Sequence, residues 1–296
     1  VVLALVSSLS FGLSGPFAKV LFSLGWTPAA AVLVRDLGGA VLVAAAAAWM
    51  LRAQLWRTWR AGWRRILVFG LFGVGGVQLC YFTALRTIPV SVAMLVEYSS
   101  PVLVLIYVAL RSRCLPSRAT LLGAALTVAG LIVVIDMPGS GGIDPVGVLW
   151  AAGAALGNVV FFIIAARPGP GIPPLALAAG GLGIGGAAVA IVGVSGMAPL
   201  AFSAGSAPAG QLTIPWWVAV LVMVVLASAF AYTTGILAAA RLGARPAAFL
   251  DLTEVLFAIL TAWLLLGETP TLQQAIGAAL IVSGLIVMQR DPAPST

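Results

Sequence analysis

Histidine is absent from this 296-residue chain, and cysteine occurs only as Cys80 and Cys114. The first absence removes the side chain that most often serves as general base or metal ligand near neutral pH. The second leaves too few thiolates for a disulfide framework or a four-thiolate zinc site. Charge is scarce as well. Asp, Glu, Lys and Arg together make up 8% of the residues, against about 25% in soluble domains, which need them to cover their surface. A water-soluble globule is therefore excluded. No G-x-x-x-x-G-K-[ST] phosphate loop occurs, so direct use of ATP is not expected.

What is present is apolar: 62% of the residues are hydrophobic and the mean hydropathy is +1.15. A helix needs about 20 apolar residues to cross a bilayer. Polar or Pro/Gly breaks leave apolar segments near 1–22, 29–50, 66–85, 89–110, 119–135, 146–166, 174–195, 215–239, 244–266 and 272–288. The expected fold class is an all-α polytopic membrane protein with ten transmembrane helices and no soluble domain. The first run carries no leading charge and is read as a true span, not a cleaved signal peptide.

The net charge of +7 does not point to nucleic acid, because the arginines sit in short loops between apolar runs. Arg52, Arg57, Arg60, Arg64 and Arg65 follow the second run. Arg111, Arg113 and Arg118 follow the fourth, Arg167 the sixth, Arg241 and Arg245 the eighth, and Arg290 the tenth. The excess of Arg on one side predicts both termini in the cytoplasm, with Arg86 alone on the opposite side.

The chain also repeats itself. The stretch from Thr87, ending in GAALTVAGLIVV, lies without a gap over the stretch from Arg241, ending in GAALIVSGLIVM. This register pairs Pro116 with Pro270, Gly130 with Gly284 and Glu97 with Asp251. A unit with an odd number of spans inserts its second copy upside down, and inverted repeats are a signature of secondary transporters. The expected organisation is a first five-helix repeat over 1–135, an outer linker over 136–145, a second repeat over 146–290 and a cytoplasmic tail over 291–296.

With these features the chain resembles the drug/metabolite transporter superfamily, in its ten-helix EamA-like branch. The likeness is carried by LTEVLFAILTAWLLLGETPTLQQAIGAALIVSGLIVM, with Glu254, the pair Gly267 and Glu268, Gly277 and Gly284, together with Lys19 and Arg35. Where the family pattern has Pro after the Glu of the ninth span, this chain has Val255. The first copy keeps that proline as Pro101, with Ser100 in place of the Glu and Arg113–Cys114 in place of the Gly–Glu pair. The resemblance implies a central cavity formed by spans one, three, four, six, eight and nine. It also implies export of small polar or amphipathic metabolites, and within the branch the chain is similar to threonine/homoserine-type amino-acid exporters.

Ionisable residues inside a membrane are costly, at least about 2.5 to 3.5 kcal/mol each, and mark candidate sites. Glu97, Asp251 and Glu254 lie near the predicted midplane, and the spacing of three would put Asp251 and Glu254 on one helix face. They could bind a substrate ammonium or exchange protons; alternatively they hold helices together through Lys19 or Arg35. Lys19 could reach a cavity or snorkel to the surface. Arg35 could hold a substrate carboxylate, or pair with Asp36 and reach the headgroups. Tyr98, Asn158, Tyr81, Gln78 and Tyr232 are candidate cavity residues, with an interfacial position equally open for Tyr81. Trp56, Trp59, Trp63, Trp216 and Trp217 read as an interfacial belt. Glu268 and Thr271 are expected to cap the tenth helix, and Pro16, Pro101 and Pro246 to break or start helices. The expected partners are a small-molecule substrate, protons and the lipid bilayer, without metal, cofactor or nucleic acid. Asp251 in LDL and Glu97 in VEY do not supply the paired aspartates of an intramembrane protease, so no enzymatic activity is expected. The rival readings are a permease for another metabolite or drug and a non-transporting membrane scaffold subunit.

Overall fold

A computed structural model describes residues 1–51, 54–84, 86–88, 90–134, 144–169, 171–210, 212–267 and 269–289. Arg52, Glu268, Arg290, most of the predicted linker, the 291–296 tail and the side chains of Trp56, Arg57 and Trp59 lie outside the described residues.

The apolar runs are helices because a bilayer offers the backbone no hydrogen-bond partner other than itself. Eight helices among the described residues are long and apolar enough to cross a membrane. These are α1 (Val2–Ser23), α2 (Pro28–Leu51), α3 (Gly62–Ala84), α4 (Val92–Ser112), α6 (Pro145–Ala166), α7 (Pro174–Val194), α8 (Trp216–Leu242) and α9 (Ala244–Leu266). Two shorter apolar helices, α5 (Arg118–Val133) and α10 (Leu272–Met288), complete the order. The protein is a nearly all-helical polytopic membrane protein.

Local chemistry sets several ends. Asp144 accepts from the Val146 N–H at 3.1 Å, directly before Pro145, whose missing N–H costs nothing in a first turn. Thr271 and Gln274 form a reciprocal cap on α10: the Thr271 N–H donates to Gln274 Oε1 at 2.9 Å and the Gln274 N–H to Thr271 Oγ1 at 3.2 Å. Thr271 thus caps as expected, with Gln274 as a partner the sequence reading did not name.

Two helical contacts depend on missing side chains. On α5 and α10, a Cβ at Gly123 would lie 2.6 Å from the Gly284 carbonyl oxygen, and one at Gly130 would lie 2.7 Å from that of Gly277. The helices therefore run antiparallel at backbone contact. On α3 and α7, a Cβ at Gly75 would lie 2.9 Å from Gly185 Cα. Without a hydrophobic drive between helices in lipid, such close approach is what holds them.

Several helices are interrupted at mid-length. Regular helix is interrupted in α1 at Leu13, ahead of Pro16; in α4 at Tyr98 and Ser99, just before Pro101; and in α9 at Leu252. In α3 and α8 the backbone passes through π-helical turns at Phe69–Gly76 and Val225–Phe230. Such turns often mark functional positions.

The α7–α8 connection carries a hairpin that the sequence reading did not name: β1 (Ser206–Ala209) pairs antiparallel with β2 (Leu212–Pro215). This hairpin buries Ala207, Ala209 and Ile214 against Phe17, Val20, Leu21 and Trp26, with Leu265 and Leu266 beside them. Trp26 Nε1 donates to the Ser203 carbonyl at 2.6 Å, and the Thr27 N–H donates to that of Ala201 at 3.2 Å. Arg86 donates to the Met197 carbonyl at the same end. At the opposite end, Arg65 donates to the Arg167 carbonyl at 2.9 Å.

Candidate functional site

Three acidic side chains gather where α1, α4, α6 and α9 meet. Glu97 ends the first piece of α4, Asp251 ends the first piece of α9, and Glu254 lies in the first turn of its second piece. All three are partly buried. Asn158 on α6 donates Nδ2 to Glu97 Oε1 at 3.2 Å. The Tyr98 hydroxyl faces Glu254, and the three carboxylates are close enough for each charge to act on its neighbours. Among the described residues, no Lys or Arg nitrogen comes within 4.0 Å of any of them.

Asp251 opens on a small cavity lined by Ser7, Ser8, Phe11, Phe161 and Phe162. Aromatic rings form its wall. Phe11 stands edge-on to Tyr232 at 5.1 Å, Phe161 to Tyr232 at 5.9 Å and to Phe162 at 5.1 Å. Edge-to-face geometry sets the positive ring edge against a negative face, so the wall is rigid.

A second polar group sits on α2. Arg35 donates Nη1 to Ser14 Oγ at 3.0 Å, Nη2 to Gln78 Oε1 at 3.5 Å and Nε to Asp36 Oδ1 at 3.5 Å. Gln78 Nε2 donates to the other Asp36 oxygen at 2.6 Å. The Asp36 side chain is fully buried and that of Arg35 is 13% exposed. The Tyr232 hydroxyl lies beside the guanidinium, and both Glu254 and Glu97 feel its charge.

Comparison with known proteins agrees with this arrangement. The EamA-like transporter family matches residues 1–136 and 145–290. The chain belongs to that family. It is therefore a multi-pass membrane protein with a small-molecule substrate. It is similar to the threonine/homoserine exporter RhtA of Salmonella typhimurium strain SL1344, at 26% identity over 99% of this chain and 92% of the relative. RhtA of Escherichia coli K12 is 26% identical over 96% of this chain and 88% of its own length. A crystal structure matches with a TM-score of 0.77 at 25% identity, covering 97% of both chains.

The EamA-like fold thus brings together Glu97, Asp251, Glu254, Tyr98 and Asn158. Tyr81 joins them from α3: it is partly buried, near enough to Glu97 to feel its charge, and packed edge-on to Phe82 at 5.7 Å. Gln78 is buried but belongs to the Arg35 group. Lys19 is exposed, and none of the contacts that build the site involves it.

Between Asp251 and Glu254 the helix carries a single turn residue, Leu252, whose backbone stays right-handed helical (φ −60°, ψ −16°). One expectation is corrected. Arg35 does not extend to the headgroups; Ser14 and Gln78 draw it inward, although the predicted pair with Asp36 forms. Trp216, the first residue of α8, is partly exposed and stacks on Trp26 at 6.2 Å, and Trp217 and Trp63 are exposed.

Sequence reasoning missed Ser7, Ser8, Ser14 and the aromatic wall. Serines inside the first apolar run, SSLSFGLS, were a readable signal. Phe11, Phe161 and Phe162 gave none, because a phenylalanine in an apolar run reads as lipid-facing or core alike.

Proposed function

We propose that the chain is a secondary transporter exporting small polar or amphipathic metabolites, amino acids among them, by alternating access. The observation that carries this reading is the group of three carboxylates with no Lys or Arg nitrogen within 4.0 Å among the described residues, of which Asp251 opens on a small aromatic-walled cavity. Uncompensated carboxylates in a low-dielectric site favour the arrival of a cation, either a substrate ammonium or a proton. The names of the relatives, threonine/homoserine exporters, support amino acids as the substrate class.

The proposed architecture is ten membrane-crossing helices in two inverted repeats, 1–135 and 146–290. The α5–α10 contact supports it. At the repeat offset, Gly123 corresponds to Gly277 and Gly130 to Gly284, and the contacts are Gly123 with Gly284 and Gly130 with Gly277. A surface that meets its own equivalent in this crossed manner is two-fold symmetric. The same offset carries the break after Glu97 onto the break after Asp251, and the π-helical turns of α3 onto those of α8. Discontinuous helices at corresponding places in two repeats are where such transporters hold their cargo. In this reading the hairpin end faces outward. The arginine-rich loops and both termini lie in the cytoplasm, and the membrane is the inner (plasma) membrane.

Counterflow of a labelled amino-acid panel, including threonine and homoserine, into liposomes holding the purified protein tests the proposal, with and without a pH gradient. Glu97→Gln, Asp251→Asn and Glu254→Gln are expected to fold and to lose uptake by at least about tenfold, as for removal of a charged-group contact. Uptake unchanged in all three would reduce the carboxylates to packing. No counterflow of any amino acid by folded protein would remove the proposed substrate class.

A further inference from the structure

Arg35 is held in a way that a purely structural arginine would not need. A guanidinium has five donors in a fixed fork, and charge-assisted bonds to carboxylates close to about 2.7 to 2.9 Å. Arg35 bonds Ser14 at 3.0 Å and has the Tyr232 hydroxyl beside it, while its contacts with Asp36 and Gln78 are stretched to 3.5 Å. Asp36 is meanwhile drawn to Gln78 at 2.6 Å. The acid next to Arg35 is thus shared with Gln78, and no carboxylate lies on the guanidinium at the length of a charge-assisted bond.

The rest of the site makes this informative. Glu254 and Glu97 lie within electrostatic reach of Arg35, yet neither approaches it within 4.0 Å. Opposite charges in a medium of low dielectric attract strongly and normally close on each other. Here they are kept apart by the helices that carry them, with α2 supplying the cation and α4 and α9 the anions. A packing role would be served better by contact. A ligand with both charges on one carbon would satisfy the two sides at once.

We propose, resting on the transporter reading above, that Arg35 binds the α-carboxylate of the substrate while the Glu97, Asp251 and Glu254 group takes its α-ammonium. The substrate class is therefore zwitterionic α-amino acids, not amines or organic acids. Ser14, Asp36 and Gln78 are positioning residues that aim the guanidinium. With one cation facing several acids, the site discriminates first by the carboxylate, because a substrate lacking it leaves Arg35 unfilled.

The test is competition against labelled threonine counterflow in liposomes holding the full chain. The competitors are unlabelled threonine, 1-amino-2-propanol, which keeps the amine and lacks the carboxylate, and 3-hydroxybutyrate, which lacks the amine. Wild-type protein is expected to prefer threonine to either half-analogue by at least about thirtyfold, the discrimination expected of a site built around a polar partner. Arg35→Lys, which keeps the charge without the fork, should raise the KM for threonine at least about tenfold. The same variant should leave inhibition by 1-amino-2-propanol unchanged, so that the preference collapses. Wild-type inhibition by 1-amino-2-propanol within about threefold of threonine would overturn the assignment without recourse to a variant. So would an Arg35→Lys protein that keeps the wild-type preference. Threonine transport with no carboxylate preference would sink the Arg35 assignment alone. Absence of counterflow for every amino acid would sink the transporter reading and this inference together.

Discussion

Gly130 on α5 lies against Gly277 on α10 so closely that a Cβ on Gly130 would sit 2.7 Å from both the Gly277 carbonyl oxygen and the Ile281 amide nitrogen. Backbone cannot yield as a side chain can, so a larger residue must push the helices apart. Gly130→Leu is expected to cost about 1 to 3 kcal/mol or more, as overpacking does. Gly183→Ala is the matched control, because its Cβ would meet only Ala40 Cβ at 3.8 Å. Thermal unfolding of the purified proteins in detergent should separate the two; equal midpoints would contradict the packing described.

Asn158 donates to Glu97 at 3.2 Å and so bridges α6 to α4. A hydrogen bond to a charged group is worth about 1.5 to 3 kcal/mol. Asn158→Leu is therefore expected to slow counterflow by about tenfold or more while the protein still elutes as a folded species. A wild-type rate in that variant would show that Glu97 needs no orientation from α6.

Ser228 lies in the π-helical turns of α8, fully buried, and its hydroxyl has no hydrogen-bond partner among the described residues. An unpaired buried hydroxyl costs about 1 to 3 kcal/mol. Ser228→Ala should raise the unfolding temperature, and a clear fall would mean that the hydroxyl has a partner in the membrane.

Asp144 titrates below its ordinary value of 3.8 because the Val146 N–H donates to its carboxylate, with the Thr87 side chain assisting. A group whose value is depressed by folding adds stability above its unfolded value and loses it as the pH falls through the folded one. The difference in unfolding temperature between wild type and Asp144→Ala should hold steady from about pH 8 to 5 and shrink below about pH 4. A difference that grows on acidification would assign the cap to another group.

The chain's helices were legible because a run of about 20 apolar residues leaves the backbone few alternatives. The carboxylates were legible for the same reason, since Glu97, Asp251 and Glu254 stand out against apolar neighbours. Helix interruptions were only partly written in the sequence. Pro101 announces the break in α4, but Leu252 has no proline or glycine beside it, and the break there became visible only in three dimensions. The π-helical turns of α3 coincide with the glycines of FGLFGVGG, whereas VLASAF in α8 carries no such mark. The direction of Arg35 was misread because composition cannot tell whether a charged side chain near a helix end turns outward to lipid or inward to Ser14 and Gln78. The hairpin had no mark in the sequence, because SAPA and LTIP are short and contain proline. Their pairing comes from burial against α1 and α9, not from strand propensity.

The hairpin belongs to the α7–α8 connection but is fastened to α1 and α2 by Trp26 and Thr27. Any parting of α1 from α8 at this end must unstack Trp26 from Trp216 and break the bonds to Ser203 and Ala201. Each such contact contributes on the order of 1 kcal/mol. Together they act as a latch whose strength is set outside the acidic group and can change without altering any residue there. Under the alternating access proposed above, the strength of this latch would set how readily this end opens, a property tuned by residues outside the acidic group.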